Sequence, residues 1–241
     1  MNRIPDISFI IINYNGIYHT RELLDSLCKF LNDTSYEVIV VDNGSENNEG
    51  ALLSIEYPQF VFLISKTNLG FSGGNNLGIR KSIGRYIMLL NNDTLLIDNS
   101  VTNMVNYMDA NIDVAAVSPK IYFVSPPNTI QFAGYTKLTN ITLRNSAIGR
   151  NEIDRGQYDT PYETAYAHGA AMMVRREIIT EIGYMPEVYF LYYEELDWCE
   201  KMRDRGYKIM YIPNSAIIHK ESQSTGNDSY IKICGTSVNE N

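Results

Sequence analysis

The run Leu90-Asn-Asn-Asp-Thr94 sets one carboxylate beside two neutral amides, directly after the apolar stretch Tyr86 to Leu90. That stretch reads as a buried strand, so Asn91, Asn92 and Asp93 emerge together at its carboxyl end, the edge where open α/β sheets hold their ligands. A lone carboxylate with amide neighbours suits a hard divalent cation that must also bind phosphate oxygens, because further protein carboxylates would compete with a diphosphate for its charge. The plainer reading is an Asx-rich turn closing a strand.

Other stretches carry residue types able to do chemistry. Asp42 follows the apolar run Glu37 to Val41 and begins Asp42-Asn43-Gly44-Ser45. From a sheet's carboxyl edge it can reach a nucleotide base or ribose, or it can simply cap a turn. Asn68 to Gly78 holds four glycines, which allow positive φ and close approach of backbone amides to a ligand ahead of a helix N-terminus. The GxGxxG spacing is absent, which weakens a dinucleotide oxidoreductase. In Tyr192-Tyr-Glu-Glu-Leu-Asp-Trp198 three carboxylates fall within four positions at a helix start. Adjacent acids repel, raising the proton affinity of at least one and favouring a general base, although a helix dipole also welcomes acids there. His219 ends a short apolar run and is either a metal ligand through a ring nitrogen or a surface residue.

The elements that must position these residues follow from periodicity. Ile7 to Ile12, Glu37 to Val41, Phe60 to Ile64 and Tyr86 to Leu90 read as strands. Helical spacing follows each: Leu23, Leu24, Leu27, Cys28 and Leu31; Ala51 to Ile55; Asn75 to Ser82; and Val101, Met104, Val105 and Met108. Four βα units within about a hundred residues imply a parallel sheet covered on both faces. Val114 to Val117 adds a strand, and Pro119 to Pro161 reads as an insertion or hairpin. Regular structure resumes with His168 to Val174, the helices Arg176 to Ile182 and about Leu196 to Arg205, and the short strands Tyr207 to Ile212 and Ala216 to Ile218.

Composition narrows the function. The chain has 241 residues and is 44% hydrophobic, as expected of a globular protein with a sizeable core. Its net charge of -8 argues against a nucleic-acid surface and lends no support to a polybasic membrane anchor, so a phosphate-bearing ligand needs a metal or backbone amides. Cys28, Cys199 and Cys234 form no CxxC pair, which points away from zinc and disulfides and toward a reducing cytosol. No segment has the roughly 20 apolar residues of a membrane span, and no signal peptide is expected. The 18 tyrosines can pack or line a polar, sugar-binding groove.

Seven motifs occur in succession: NYNG (Asn13 to Gly16), VDNGS (Val41 to Ser45), NLGFSGGNNLG (Asn68 to Gly78), LNNDT (Leu90 to Thr94), HGAAMMVRRE (His168 to Glu177), FLYYEELDWCEKMRDRGY (Phe190 to Tyr207) and IIHKESQST (Ile217 to Thr225). Together they closely resemble family 2 glycosyltransferases, most of all the bacterial rhamnosyltransferase type. The resemblance covers about residues 7 to 225. It implies a GT-A fold, a Rossmann-like and mostly parallel sheet with helices on both faces and a smaller mixed acceptor-side region. Residues 1–118 would be the nucleotide-sugar half, 119–225 the acceptor-binding and catalytic half, and 226–241 a polar tail.

The resemblance also implies an inverting, metal-dependent transfer of a sugar from a nucleoside diphosphate, dTDP-rhamnose or a UDP-sugar, to a hydroxyl of a glycan or lipid-linked acceptor. Asp93 matches the last acid of the family's DXD motif, with Asn91 in place of the first, and His219 matches an imidazole ligand. An imidazole suits Mn²⁺ better than Mg²⁺. The donor would be held by Asn13, Tyr14, Asn15, Asp42, Asn43, Ser45, Asn68, Gly70, Phe71, Gly74, Asn75, Asn76, Asn91 and Asn92. Glu194-Glu195 match a Glu-Asp pair whose second acid is the base, so Glu195 is expected in that role with Asp197 as the fallback. His168, Gly169, Tyr193 and Trp198, with Tyr192, would form the acceptor groove.

The corresponding location is the cytoplasm, with the inner face of the cell membrane and peripheral membrane contact allowed. Two other classes stay in view. A nucleotidyltransferase predicts a basic phosphate-binding segment near the amino terminus, and Asn13 to Thr20 has no lysine. A non-catalytic sugar-nucleotide-binding module is allowed by Asn91 and by glutamate at position 195.

Overall fold

The computed structural model describes residues 4–32, 34–139 and 144–220. The expected polar tail, and the end of the last motif after Lys220, lie outside the described residues. β1 (Ile7–Asn13), α1 (Ile17–Phe30), β2 (Tyr36–Asn43), α2 (Glu49–Glu56), β3 (Val61–Ser65), α3 (Gly70–Lys81) and β4 (Tyr86–Asn91) alternate as the periodicity indicates. These strands pair in parallel in the order β3-β2-β1-β4, so β1, β2 and β4 end side by side at Asn13, Asn43 and Asn91, with Asp42 opposite Asn13.

Beyond β4 the sheet is mixed, as expected of the acceptor-side region. After β5 (Thr94–Leu96) and α4 (Val101–Ala110), β6 runs Val114–Phe123, well past Val117. β9 (Ala171–Arg175) inserts antiparallel between β4 and β6, and β10 (Lys208–His219) runs parallel to β6. β10 is one strand, where sequence suggested two, because an irregularity between Ile212 and Ala216 absorbs Pro213 without breaking the pairing.

The stretch expected as an insertion contributes β7 (Ile130–Phe132), antiparallel to β6, and β8 (Tyr162–Glu163), antiparallel to β10. The Lys120 ammonium pins this stretch to β6, lying 2.8 Å from Asp154 and 2.6 Å from Asp159.

Two apolar layers cover the sheet. On one face α1, α2 and α4 bury Leu23, Leu24, Leu27, Leu53, Val101, Met104 and Met108. On the other, α3, α5 (Arg176–Ile182) and α6 (Glu194–Asp204) bury Ile79, Ile178, Ile179, Trp198, Cys199 and Met202. Cys28 departs from the expected stripe of α1: it is exposed, and Ser26 is buried instead. The Ser26 hydroxyl accepts the Leu96 amide, tying α1 to β5. Among the described residues no helix is long and apolar enough to cross a membrane.

Candidate active site

Strand register brings Asp93 and His219 together across 126 positions of sequence. β5 pairs antiparallel with β10 so that Thr94 faces His219, and the Lys220 amide donates to the Asp93 carbonyl at 3.0 Å. The Asp93 carboxylate, 1% exposed, then lies 3.2 Å from His219 Nε2. The other ring nitrogen, Nδ1, lies 2.9 Å from Gln131 Oε1, and Gln131 is itself buried. If Nδ1 carries the proton, Nε2 turns a lone pair toward a carboxylate oxygen, an arrangement that asks for a cation. Carboxylate plus neutral imidazole is a donor set that Mn²⁺ accepts readily. No group of three or more His, Cys, Asp or Glu able to hold a metal occurs among the described residues, so water and a ligand's oxygens would have to complete the coordination.

His168 links this pair to the acidic helix. Its ring stands edge-on to that of His219 at 6.0 Å and stacks on Tyr135 at 5.8 Å. Its Nδ1 accepts the Ala170 amide, and burial, with His219 adding to it, pushes its pKa down to about 3, so it stays neutral. The next residue, Gly169, faces Glu195: a Cβ there would lie 3.6 Å from the Glu195 carboxyl. Burial, and secondarily the Glu194 charge, pushes the Glu195 pKa up to about 7.

Glu194 is 3% exposed, its proton affinity is also raised by burial, and its Oε2 has no hydrogen-bond partner among the described residues. Asp197 turns elsewhere, toward Lys201 at 3.4 Å on the outer side of α6. Tyr192 and Tyr193 are exposed at the start of α6 and both adopt positive φ, +75° and +74°.

Several expected ligand contacts turn out to be internal braces. Asn13 is fully buried: its amide donates to Ser45 and to Glu49 Oε2, and its oxygen accepts the Thr20 hydroxyl. Asp42 accepts the Ser45 and Gly50 amides, the turn-capping role, and Asn92 donates to Thr20 and Gly16. Asn43 binds Asn68 and the Leu69 and Gly70 backbone, holding that loop to the end of β2.

The glycine-rich stretch is not a loop ahead of a helix. α3 begins at Gly70, so Gly70, Phe71, Gly74, Asn75 and Asn76 are helical. The Asn75 amide returns to the Phe71 carbonyl and Asn76 grips Met185 and Glu187, while Gly74 lets the helix close on Ile12 and Asn43. Trp198 is a core residue with no exposed surface, donating to the Gly183 carbonyl, and cannot line an acceptor groove. Tyr14 and Asn91 remain partly open at the sheet edge, as does Asn15, whose side-chain Oδ1 accepts the Glu46 amide and whose backbone N–H donates to the Ser45 hydroxyl.

The sequence that builds this sheet edge matches a known family. The model of glycosyl transferase family 2 matches residues 8–183, most of the chain. The chain belongs to glycosyl transferase family 2. It is 28% identical over 223 residues to the low-salt glycan biosynthesis hexosyltransferase Agl10 of Haloferax volcanii, covering 90% of this chain and 68% of that protein. It is 24% identical over 237 residues to the dTDP-rhamnosyl transferase RfbF of Shigella flexneri, covering 97% and 73%.

Solved structures show the GT-A fold. GalNAc-T7 with UDP, GalNAc and Mn²⁺ superposes with a TM-score of 0.73 at 14% identity, over 91% of this chain. The mannosyltransferase PcManGT of Pyrobaculum calidifontis, with GDP-Man and Mn²⁺, gives 0.67 at 17% identity, over 96%. The chain spans 44% and 60% of those two chains.

Two residues of this family member escaped the sequence reading. Glu49 accepts Asn13 and the Gly16 and Ile17 amides, so a side chain from α2 caps α1. Gln131 sits in a three-residue strand with no periodic signal. In each case the role exists only through a partner distant in sequence.

Proposed function

We propose that this chain is an inverting, divalent-metal-dependent glycosyltransferase. In this reading it moves a sugar from a nucleoside diphosphate, with dTDP-rhamnose and UDP-sugars the leading donors, to a hydroxyl of a glycan or lipid-linked acceptor in cell-surface polysaccharide synthesis. The observation that carries the reading is continuity: Asp93 meets His219, His219 meets His168, and Gly169 meets Glu195. A cation-binding pair and a carboxylate of raised proton affinity thus share one edge of the sheet.

Asp93 and His219 would hold Mn²⁺ or Mg²⁺, which when bound supplies positive charge to the departing diphosphate. Glu195 takes the acceptor's proton, and a pKa near 7 suits that task at neutral pH. Neutral His168 adds no competing charge beside His219. Tyr14, Asn15 and Asn91 flank the donor, with Asn43 and Asn68 setting the shape of the loop beside it. Tyr192 and Tyr193 offer apolar ring faces to the acceptor. The dTDP-rhamnosyl and hexosyl relatives support the donor class, and the place of action would be the cytoplasmic face of a membrane.

Release of nucleoside diphosphate, measured with a panel of donors, Mn²⁺ and lipid-linked and free glycan acceptors, tests the proposal. Acceptor-dependent release with at least one donor is expected. Nucleotide binding without turnover across the panel would favour a non-catalytic module.

A further inference from the structure

The buried amide of Gln131 is absorbed by none of the roles above, and its place in the fold is unusual. Across β6 and β7, Ile121 pairs with Phe132 and Tyr122 with Ile130, so β7 carries one residue more than β6 at this step. The extra residue is Gln131. A bulge of this kind re-aims a side chain. Here Gln131 and His219 meet across β6, since β6 lies between β7 and β10 and pairs with both.

We propose that Gln131 is a positioning residue for the cation site: its side-chain oxygen accepts the Nδ1 proton of His219 and so holds Nε2 unprotonated on the Asp93 side. This rests on the metal-dependent reading above. The contact is 2.9 Å, and Gln131 is 1% exposed, so water does not compete for the imidazole. Imidazole ligands commonly donate their second N–H to an acceptor that fixes tautomer and ring orientation. Reversal of the Gln131 amide would reverse the outcome: an N–H facing Nδ1 would leave the proton on Nε2, closing Nε2 to a cation. The acceptor-side stretch, which pattern alone marks as an insertion or hairpin, thereby contributes to the donor side of the site.

The test is Mn²⁺ titration followed by the EPR signal of free Mn²⁺, with and without UDP, on the unmodified protein, Gln131→Leu and Gln131→Glu. Gln131→Leu should weaken Mn²⁺ binding about 10- to 100-fold, as loss of such partners does elsewhere. Gln131→Glu, which keeps an acceptor, should retain most of the affinity. Nitrogen-15 shifts of His219 in the metal-free protein give a second readout, with Nδ1 protonated in the parent and the preference lost in Gln131→Leu. Unchanged Mn²⁺ affinity in Gln131→Leu would overturn the proposal, as would an equal loss in both variants or a proton on Nε2 in the parent. Failure of the unmodified protein to bind Mn²⁺ would instead overturn the metal reading itself, while the shifts still report on the Gln131 contact.

Discussion

The Phe71 amide donates to the Phe190 carbonyl at 2.9 Å, so the first turn of α3 is docked on the segment that leads into Glu194 and Glu195. The donor-side helix and the proposed base are thus mechanically joined. Gly70 makes this approach possible: it has a φ of +72°, and a Cβ there would lie 2.4 Å from the Phe190 oxygen. Gly70→Ala should therefore cost about 1–3 kcal/mol of stability and weaken transfer, since a strained φ and a backbone clash coincide. Urea denaturation reads the first effect and initial rates the second; parental values in both would mean that the contact is dispensable.

Removal of the cation-binding pair should act on donor affinity first. Asp93→Ala and His219→Ala should each abolish the Mn²⁺-dependent part of nucleotide binding, a loss of about 100-fold or more, since even partners one step further from a metal cost 10- to 100-fold. Calorimetry with Mn²⁺ and a nucleoside diphosphate measures it. Retained Mn²⁺ dependence in Asp93→Ala would sink the metal assignment.

Glu195→Gln should keep donor binding and lower transfer by about 10²- to 10⁴-fold, the usual contribution of a positioned base. Asp197→Asn serves as the control, because that carboxylate faces Lys201. The opposite result, an inactive Asp197→Asn and an active Glu195→Gln, would move the base to Asp197.

The pH dependence has a definite sign. A base must be deprotonated, so kcat/KM should rise with pH and level off above about 7. Stability should respond the other way. The folded Glu195 pKa lies above its unfolded value, so the native state binds more protons between about 4.5 and 7, and this contribution to stability fades as pH rises through that window. Glu195→Gln should then be more stable than the parent at pH 8, by about 3 kcal/mol, and no more stable at pH 4. Thermal melts at the two pH values check this; a gain of the same size at both would place the cause elsewhere.

Trp198→Ala should lose about 3–5 kcal/mol, the cost of emptying a large core site, with acceptor KM unaffected at temperatures where the variant stays folded. A selective rise in acceptor KM with parental stability would restore the groove assignment.

By itself the sequence determined what depends on local chemistry. The alternation of β-branched runs with helical stripes such as Leu23, Leu24 and Leu27 specifies the parallel half of the sheet, because one strand's period and one helix's period are legible within a few residues. It also placed Asp42, Asp93 and Glu195 at element ends, and the succession of motifs announced the family. Tertiary structure decided which of these side chains face the site. Asn13, Asp42, Asn76 and Trp198 have the right types at the right spacing, yet burial obliges their polar atoms to find protein partners, and those partners lie far along the chain. Whether β9 inserts antiparallel, whether Thr94 faces His219 and whether a bulge aims Gln131 at the imidazole depend on strand register. Register is set by packing across the whole sheet, so no local pattern records it.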